Sequence, residues 1–160
     1  NDPAQRAHFV TRVYAWHRLK QVPPEASALQ RFHQSYKLVL MEHSPAHYQR
    51  LGQLVANPGR LPLVQLLAEY QPLFMQALEL PGTVNRRVNV LHHMYGYLKD
   101  VLDRREKREV LELIEDYRQG EVPLAAPLAV LRHLIRKFSI EYLDGQLFFQ
   151  PYPKGLGVGR

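Results

Sequence analysis

Two Asn, two Arg, two His and a Gly crowd the segment from Asn85 to Tyr97, and such side chains grip phosphates, sugars and base edges. The apolar residues around them, Val84, Val88, Leu91, Tyr95, Leu98 and Leu102, keep the i, i+4, i+7, i+11 spacing of an amphipathic helix. At about 100° per residue, the opposite arc carries Asn85, Arg86, Asn89, His92, His93, Gly96, Lys99 and Asp100. A solvated helix face usually favours Glu, Lys, Gln and Ala, whereas this arc uses poor helix formers that hydrogen-bond well. Gly96 in its middle costs about 1 kcal/mol relative to Ala, so the pattern predicts a close approach by a ligand or a neighbouring helix. Arg and Asn could hold RNA there, with His stacking or switching charge near neutrality. The same groups could instead form a polar network between helices. Arg87 projects towards the apolar arc and is expected to pair with a carboxylate.

Three other clusters carry weaker chemistry. His43 and His47 stand four apart, as metal ligands on a helix can, but His43 precedes the capping Ser44 and no carboxylate occupies a general-base position. Both are expected to be structural, and no metal site is expected. Near the N-terminus Arg12 and Arg18 are interleaved with Phe9, Tyr14 and Trp16. Helical spacing makes Phe9, Val13 and Trp16 a buried stripe; exposed, the aromatic residues would offer stacking surfaces beside phosphate-binding cations. The run Asp103 to Glu109 alternates in sign, which builds a solvated helix face rather than a nucleic-acid groove. The sequence holds no phosphate loop, dinucleotide fingerprint or nucleophile elbow.

The elements that must position these groups read as helices throughout. Asp2-Pro3 opens one to Lys20; Val22-Pro23-Pro24 breaks it, and a second is expected from Glu25 to Glu42. Ser44-Pro45 caps a third, ending at Asn57-Pro58-Gly59. Pro62 opens a Leu-rich stretch to Leu80, with Pro72 expected to kink or split it. Thr83 caps the helix of the polar arc, expected to reach Leu102, and Asp103 caps a charged helix stopped by Gly120. Pro123 and Pro127 precede a last long helical region, with a restart at Ser139. The expectation is an all-α domain over residues 1–148, a bundle of about seven to eight helices, and an extended Pro/Gly-rich tail over 149–160.

Composition bounds the rest. A chain of 160 residues, 46% hydrophobic and 22% charged, suits one globular domain. No run reaches the roughly 18 apolar residues of a membrane span, and no secretory or transit pattern opens the chain, so a cytoplasmic protein with no membrane partner is expected. Without cysteine the chain can form no disulfide, catalytic thiolate or cysteine-held cluster. A formal charge of +6 favours an anionic partner. The first residue, Asn1, suggests a processed chain or a piece of a longer one.

Four blocks, in order along the chain, resemble the YbgA family. They are His43-Ser44-Pro45-x-His47-Tyr48-x-x-Leu51-Gly52 and Asn85-Arg86-Arg87-x-Asn89-Val90-x-His92-His93-x-x-Gly96-Tyr97, then Tyr117-Arg118-x-Gly120-x-x-Pro123-Leu124-x-x-Pro127-Leu128, and Tyr142-Leu143-x-x-Gln146 with Pro151-Tyr152-Pro153. The family, of unknown function, occurs alone or fused behind a cysteine-bearing domain similar to thiouracil desulfidase, and the fused proteins are associated with 4-thiouridine removal from tRNA. The resemblance therefore implies a non-catalytic accessory domain that binds tRNA or other RNA, with a desulfidase domain as partner in cis or trans. Any [4Fe-4S] cluster would belong to that partner; no cofactor is expected in this chain. The RNA-contacting set expected from the residues themselves is Arg86, Asn89, His92, His93, Asn85 and Lys99, with Arg12 and Arg18 on phosphates. Arg87, Gly96, His43 and His47 are expected to be structural. Two alternatives stand beside it. One is a protein-interaction module that docks a catalytic domain or forms a homo-oligomer; the weaker is a hydrolase with His92 or His93 as general base beneath a deep pocket.

Overall fold

The structure, a computed structural model, describes residues 2–156. These form helices α1 (Pro3–Lys20), α2 (Ala26–Ser35), α3 (Lys37–His43), α4 (Pro45–Ala56), α5 (Leu63–Glu79), α6 (Val84–Leu98), α7 (Arg104–Gln119), α8 (Ala125–Lys137) and α9 (Glu141–Asp144), with no strand among the described residues. The fold is an all-α bundle. Its helix ends follow from local chemistry. The side chains of Asp2, Ser44, Thr83 and Asp103 accept backbone N–H bonds at the starts of α1, α4, α6 and α7. Glu106 completes a capping box with Asp103, and Gly120 closes α7 at φ 80°.

The core is built on fully buried Tyr36, Tyr70, Phe74 and Phe148 among leucines. Phe32, Tyr36 and Phe74 pack at ring separations of 4.8 to 5.2 Å. Tyr70 lies 5.8 Å from Phe74, nearly parallel to it.

Four expectations are corrected. The helix predicted from Glu25 to Glu42 breaks at Tyr36, because a distant side chain enters its ladder. In a continuous helix Leu38 N–H would donate to the Gln34 carbonyl. Buried Gln146 takes both groups instead: its Oε1 accepts from Leu38 N–H at 3.3 Å and its Nε2 donates to Gln34 O at 2.7 Å. The Ser35 carbonyl likewise accepts from Leu147 N–H at 3.0 Å. The Leu-rich stretch does not split at Pro72: it is one helix, α5. Helix α6 stops at Leu98, and its buried face is Val90, Leu91, Met94 and Leu98, while Val84 is exposed.

The fourth correction concerns α1. It buries Ala7, Thr11, Ala15 and Leu19 and leaves Phe9, Val13 and Trp16 on the surface, 63%, 46% and 43% exposed. Small residues let α1 lie close against α5, so side-chain size rather than polarity selects the inward face. Beyond α9 the backbone is non-helical, yet Pro151 and Tyr152 are buried and Arg18 Nη1 donates to the Pro151 carbonyl at 2.6 Å. Residues 157–160 of the expected tail lie outside the described residues.

Candidate functional site

The polar arc of α6 faces solvent. Asn85, Asn89, His92, His93, Gly96 and Lys99 are all exposed. Asn89, His92, His93, Gly96 and Tyr97 line a shallow open concavity of about 390 Å³. Gly96 does not seat a neighbouring helix as expected: nothing lies within 4 Å of where its Cβ would be. It clears the floor of the concavity instead. The deep pocket that a His92 or His93 general base would need is not what these residues form.

At one end the concavity continues into a group of tyrosines around a lysine, brought there by α3 and α9. Tyr97 and Tyr142 stack at 5.2 Å and 22°, and Lys37 Nζ stands 5.4 Å from the Tyr142 ring centre. Partial desolvation, and then the Lys37 ammonium, lower the pKa of His93, so its imidazole is neutral at pH 7. Tyr48 borders the same group and stacks on His33 at 5.4 Å and 5°. His33 also shares a 3.0 Å hydrogen bond with the Tyr70 hydroxyl, and burial lowers its pKa to about 4. At the other side of the arc, His92 lies near Glu115, whose carboxylate is held at about 2 by hydrogen bonds from Arg118 and Gln119.

Other predicted residues are taken up by the fold. Arg86 Nη1 donates to the His43 carbonyl at 2.9 Å, tying α6 to the end of α3. Arg18 donates to the Tyr36 hydroxyl at 3.0 Å as well as to Pro151. Arg12 is half-buried, 4.0 Å from Glu79. His47 hydrogen-bonds the Ser44 hydroxyl that caps α4, at 2.7 Å. His43 Nδ1 bonds the Leu80 carbonyl at 2.6 Å. No group of three or more His, Asp or Glu is placed to hold a metal among the described residues.

A second polar cluster was not foreseen. Glu42 is buried, and its Oε1 accepts from Arg87 Nε at 2.7 Å, which supplies the carboxylate expected for Arg87. Desolvation works against the Arg87 charge, yet Glu42 and then Tyr117 hold its pKa above the ordinary guanidinium value. His43 Nε2 lies 3.9 Å from Glu42 Oε2, and the His43 ring stacks on His8 at 5.2 Å. His8 Nε2 bonds the Leu78 carbonyl at 2.6 Å; a carbonyl only accepts, so the proton sits on Nε2. Glu42, His8 and Tyr117 gave no local signal, although Glu42 directly precedes the His43 block and Tyr117 opens another.

The profile of a family described as "Protein of unknown function (DUF1722)" matches residues 37–153. The chain is 34% identical over 147 residues to the uncharacterized protein YbgA of Escherichia coli (strain K12), covering 91% of this chain and 87% of that protein. No solved structure matches it. Among the described residues no helix is long and apolar enough to cross a membrane. The chain belongs to the YbgA-like DUF1722 family.

Proposed function

We propose that this chain is a non-catalytic RNA-binding domain, probing tRNA or another RNA with the α6 face and serving as accessory to a desulfidase domain in cis or trans. The observation that carries the reading is the run from exposed Asn89, His92 and His93 across Gly96 to the Tyr97–Tyr142 stack and half-buried Lys37. Unstacked bases lie on aromatic rings and an ammonium neutralises phosphate, while Asn and neutral His read base edges. The cleared floor at Gly96 gives a planar group access to the helix surface. The overall charge of +6 adds long-range attraction. Lys99 and Asn85 extend the face; Arg86 and Arg18 contribute chiefly by holding it in place.

Gel shift or filter binding against tRNA across a salt series tests this. Binding that weakens steeply with salt, and weakens further in Lys37→Ala with Tyr142→Ala, supports it. Salt-insensitive binding, or affinity unchanged in that double variant, overturns it.

The apolar stripe Phe9, Val13 and Trp16 favours a second reading, a protein-interaction module. Sedimentation of the chain and capture of a purified desulfidase domain test it. A monomer without such affinity sinks it.

A further inference from the structure

A groove of about 610 Å³ runs along the outside of the hairpin made by α4 and α5, and it shares no residue with the α6 concavity. Half-buried Leu54, Leu61 and Leu73 line its base. Arg50 and Gln53 stand on the α4 side, Glu69 and Gln76 on the α5 side. The surface around it is short of charge. Arg50 is the one Lys, Arg, Asp or Glu of α4, and Glu69 is the one in α5 before its final residue. Val64, Ala68 and Pro72, exposed at i, i+4 and i+8, give α5 an apolar outer ridge. A helix that this protein turns to water is different: α7 exposes Arg104, Arg108, Glu112, Glu115 and Asp116. Depletion of charge, more than bulk hydrophobicity, marks surface that a partner covers.

We infer that the groove receives α5 of a second copy of this chain, in a two-fold dimer. The occupant follows from charge. Arg50 and Glu69 face the same groove from opposite sides, and among the described residues neither has an ion pair within its own chain. A two-fold axis makes every contact reciprocal, so Arg50 of each copy meets Glu69 of the other and the match is made twice. The face thus carries both halves of its own complement. Helix α1 is the contrary case. Its stripe has larger apolar side chains, but Pro3–Lys20 holds Arg6, Arg12, Arg18 and Lys20 and no carboxylate, so two copies meeting there would repel. In the dimer the ridge of Val64, Ala68 and Pro72 lies on the leucines of the other copy's groove, and the small side chain of Ala68 lets the helix axes come close. Pro72 has no N–H, so the Ala68 carbonyl on this ridge lacks the donor a helix would supply. The Gln53 and Gln76 amides of the other copy are donors within that groove. The inference does not rest on RNA binding by the α6 face.

Sedimentation velocity of the full chain tests it, at about 100 μM, above the micromolar weak end of standard-size interfaces. A dimer is expected, and a monomer at that concentration overturns the inference. Arg50→Glu and Glu69→Arg are both changes at exposed positions. Each sets two like-charge pairs across the axis and should weaken the dimer about tenfold or more. Mixed in equal amounts, the two variants should recover a dimer, because a heterodimer of the two has opposite charges in both pairs. Both changes in one chain should recover it as well. A dimer that survives each single change overturns the inference, as does a mixture that stays dissociated. Ala68→Arg, which sets a long charged side chain on the ridge, should abolish the dimer. Phe9→Ala with Trp16→Ala should leave it unchanged. If this α1 variant dissociates the dimer instead, the copies meet through α1 and the inference fails.

Discussion

Helix α6 takes part in two polar regions of opposite construction. At its first turns Arg87 meets Glu42 in a closed, pre-paired cluster under Gly82. Two to three turns later, His93 and Tyr97 stand on an open face beside Lys37, 5.4 Å above the Tyr142 ring. The first region holds its charges in fixed partnership, so removing a member takes a close partner from a buried group. The second keeps His93 and Tyr97 exposed and Lys37 and Tyr142 only half-buried, so removing one costs less stability and alters what the surface can hold. Polar residues that look alike in sequence thus divide into those the fold needs and those a partner could use.

The widest separation is expected in stability. Arg87→Met takes from buried Glu42 its 2.7 Å guanidinium partner and should cost about 3 kcal/mol in urea denaturation. Lys37→Ala, His93→Ala and Tyr142→Ala should each stay within about 1 kcal/mol of the parent. Equal losses in both groups would erase the distinction.

Acid should probe the packing beneath Tyr48. His33, beneath Tyr48, has a folded pKa of about 4 against an ordinary 6.5. Its folded pKa is depressed, so the unfolded chain binds the proton more tightly. The contribution is whole above pH 6.5 and is lost as pH falls from there to about 4, to the extent of about 3 kcal/mol. His33→Phe should flatten stability across this window, and an unchanged profile would place the acid-sensitive group elsewhere.

Smaller effects distinguish the components of the open face. Tyr142→Ala should weaken RNA binding about tenfold with little change in salt slope, because it removes a stacking surface and no charge. Lys37→Ala should lower the slope of log affinity against log salt by about 0.7 to 0.9. The smallest change is the most local. By proton NMR, Lys37→Ala should raise the His93 pKa towards its ordinary value, since it removes the nearby ammonium but not the desolvation.

Most of the helical outline was legible because caps are local. Asp2-Pro3, Ser44-Pro45, Thr83 and the pairing of Asp103 with Gly120 each settle an end within a few residues. The arc of α6 was legible as exposed for the same reason, since periodicity separates its faces. What could not be read depends on chain segments far apart. Gln146 interrupts a helix 108 residues earlier through Leu38 N–H, and Arg18 reaches Pro151 across 133 residues. Arg87 announced the need for a carboxylate, but any of the 15 acidic residues could have answered. Helix α1 misled because both of its sides are apolar, and periodicity carries no information on which of two such faces packs closer.

Exposure of the α1 stripe also determines what light can report about this molecule. Trp16 is the single tryptophan, 43% exposed, with Lys20 Nζ 5.0 Å from its ring centre. With that exposure its emission should already lie towards that of a hydrated indole before unfolding begins, so the spectrum should shift little as the core around Tyr36 and Phe74 comes apart. The same indole should shift to shorter wavelength when another surface covers α1. Intrinsic fluorescence is therefore a poor gauge of this protein's melting and a built-in, label-free signal for anything that settles on its first helix.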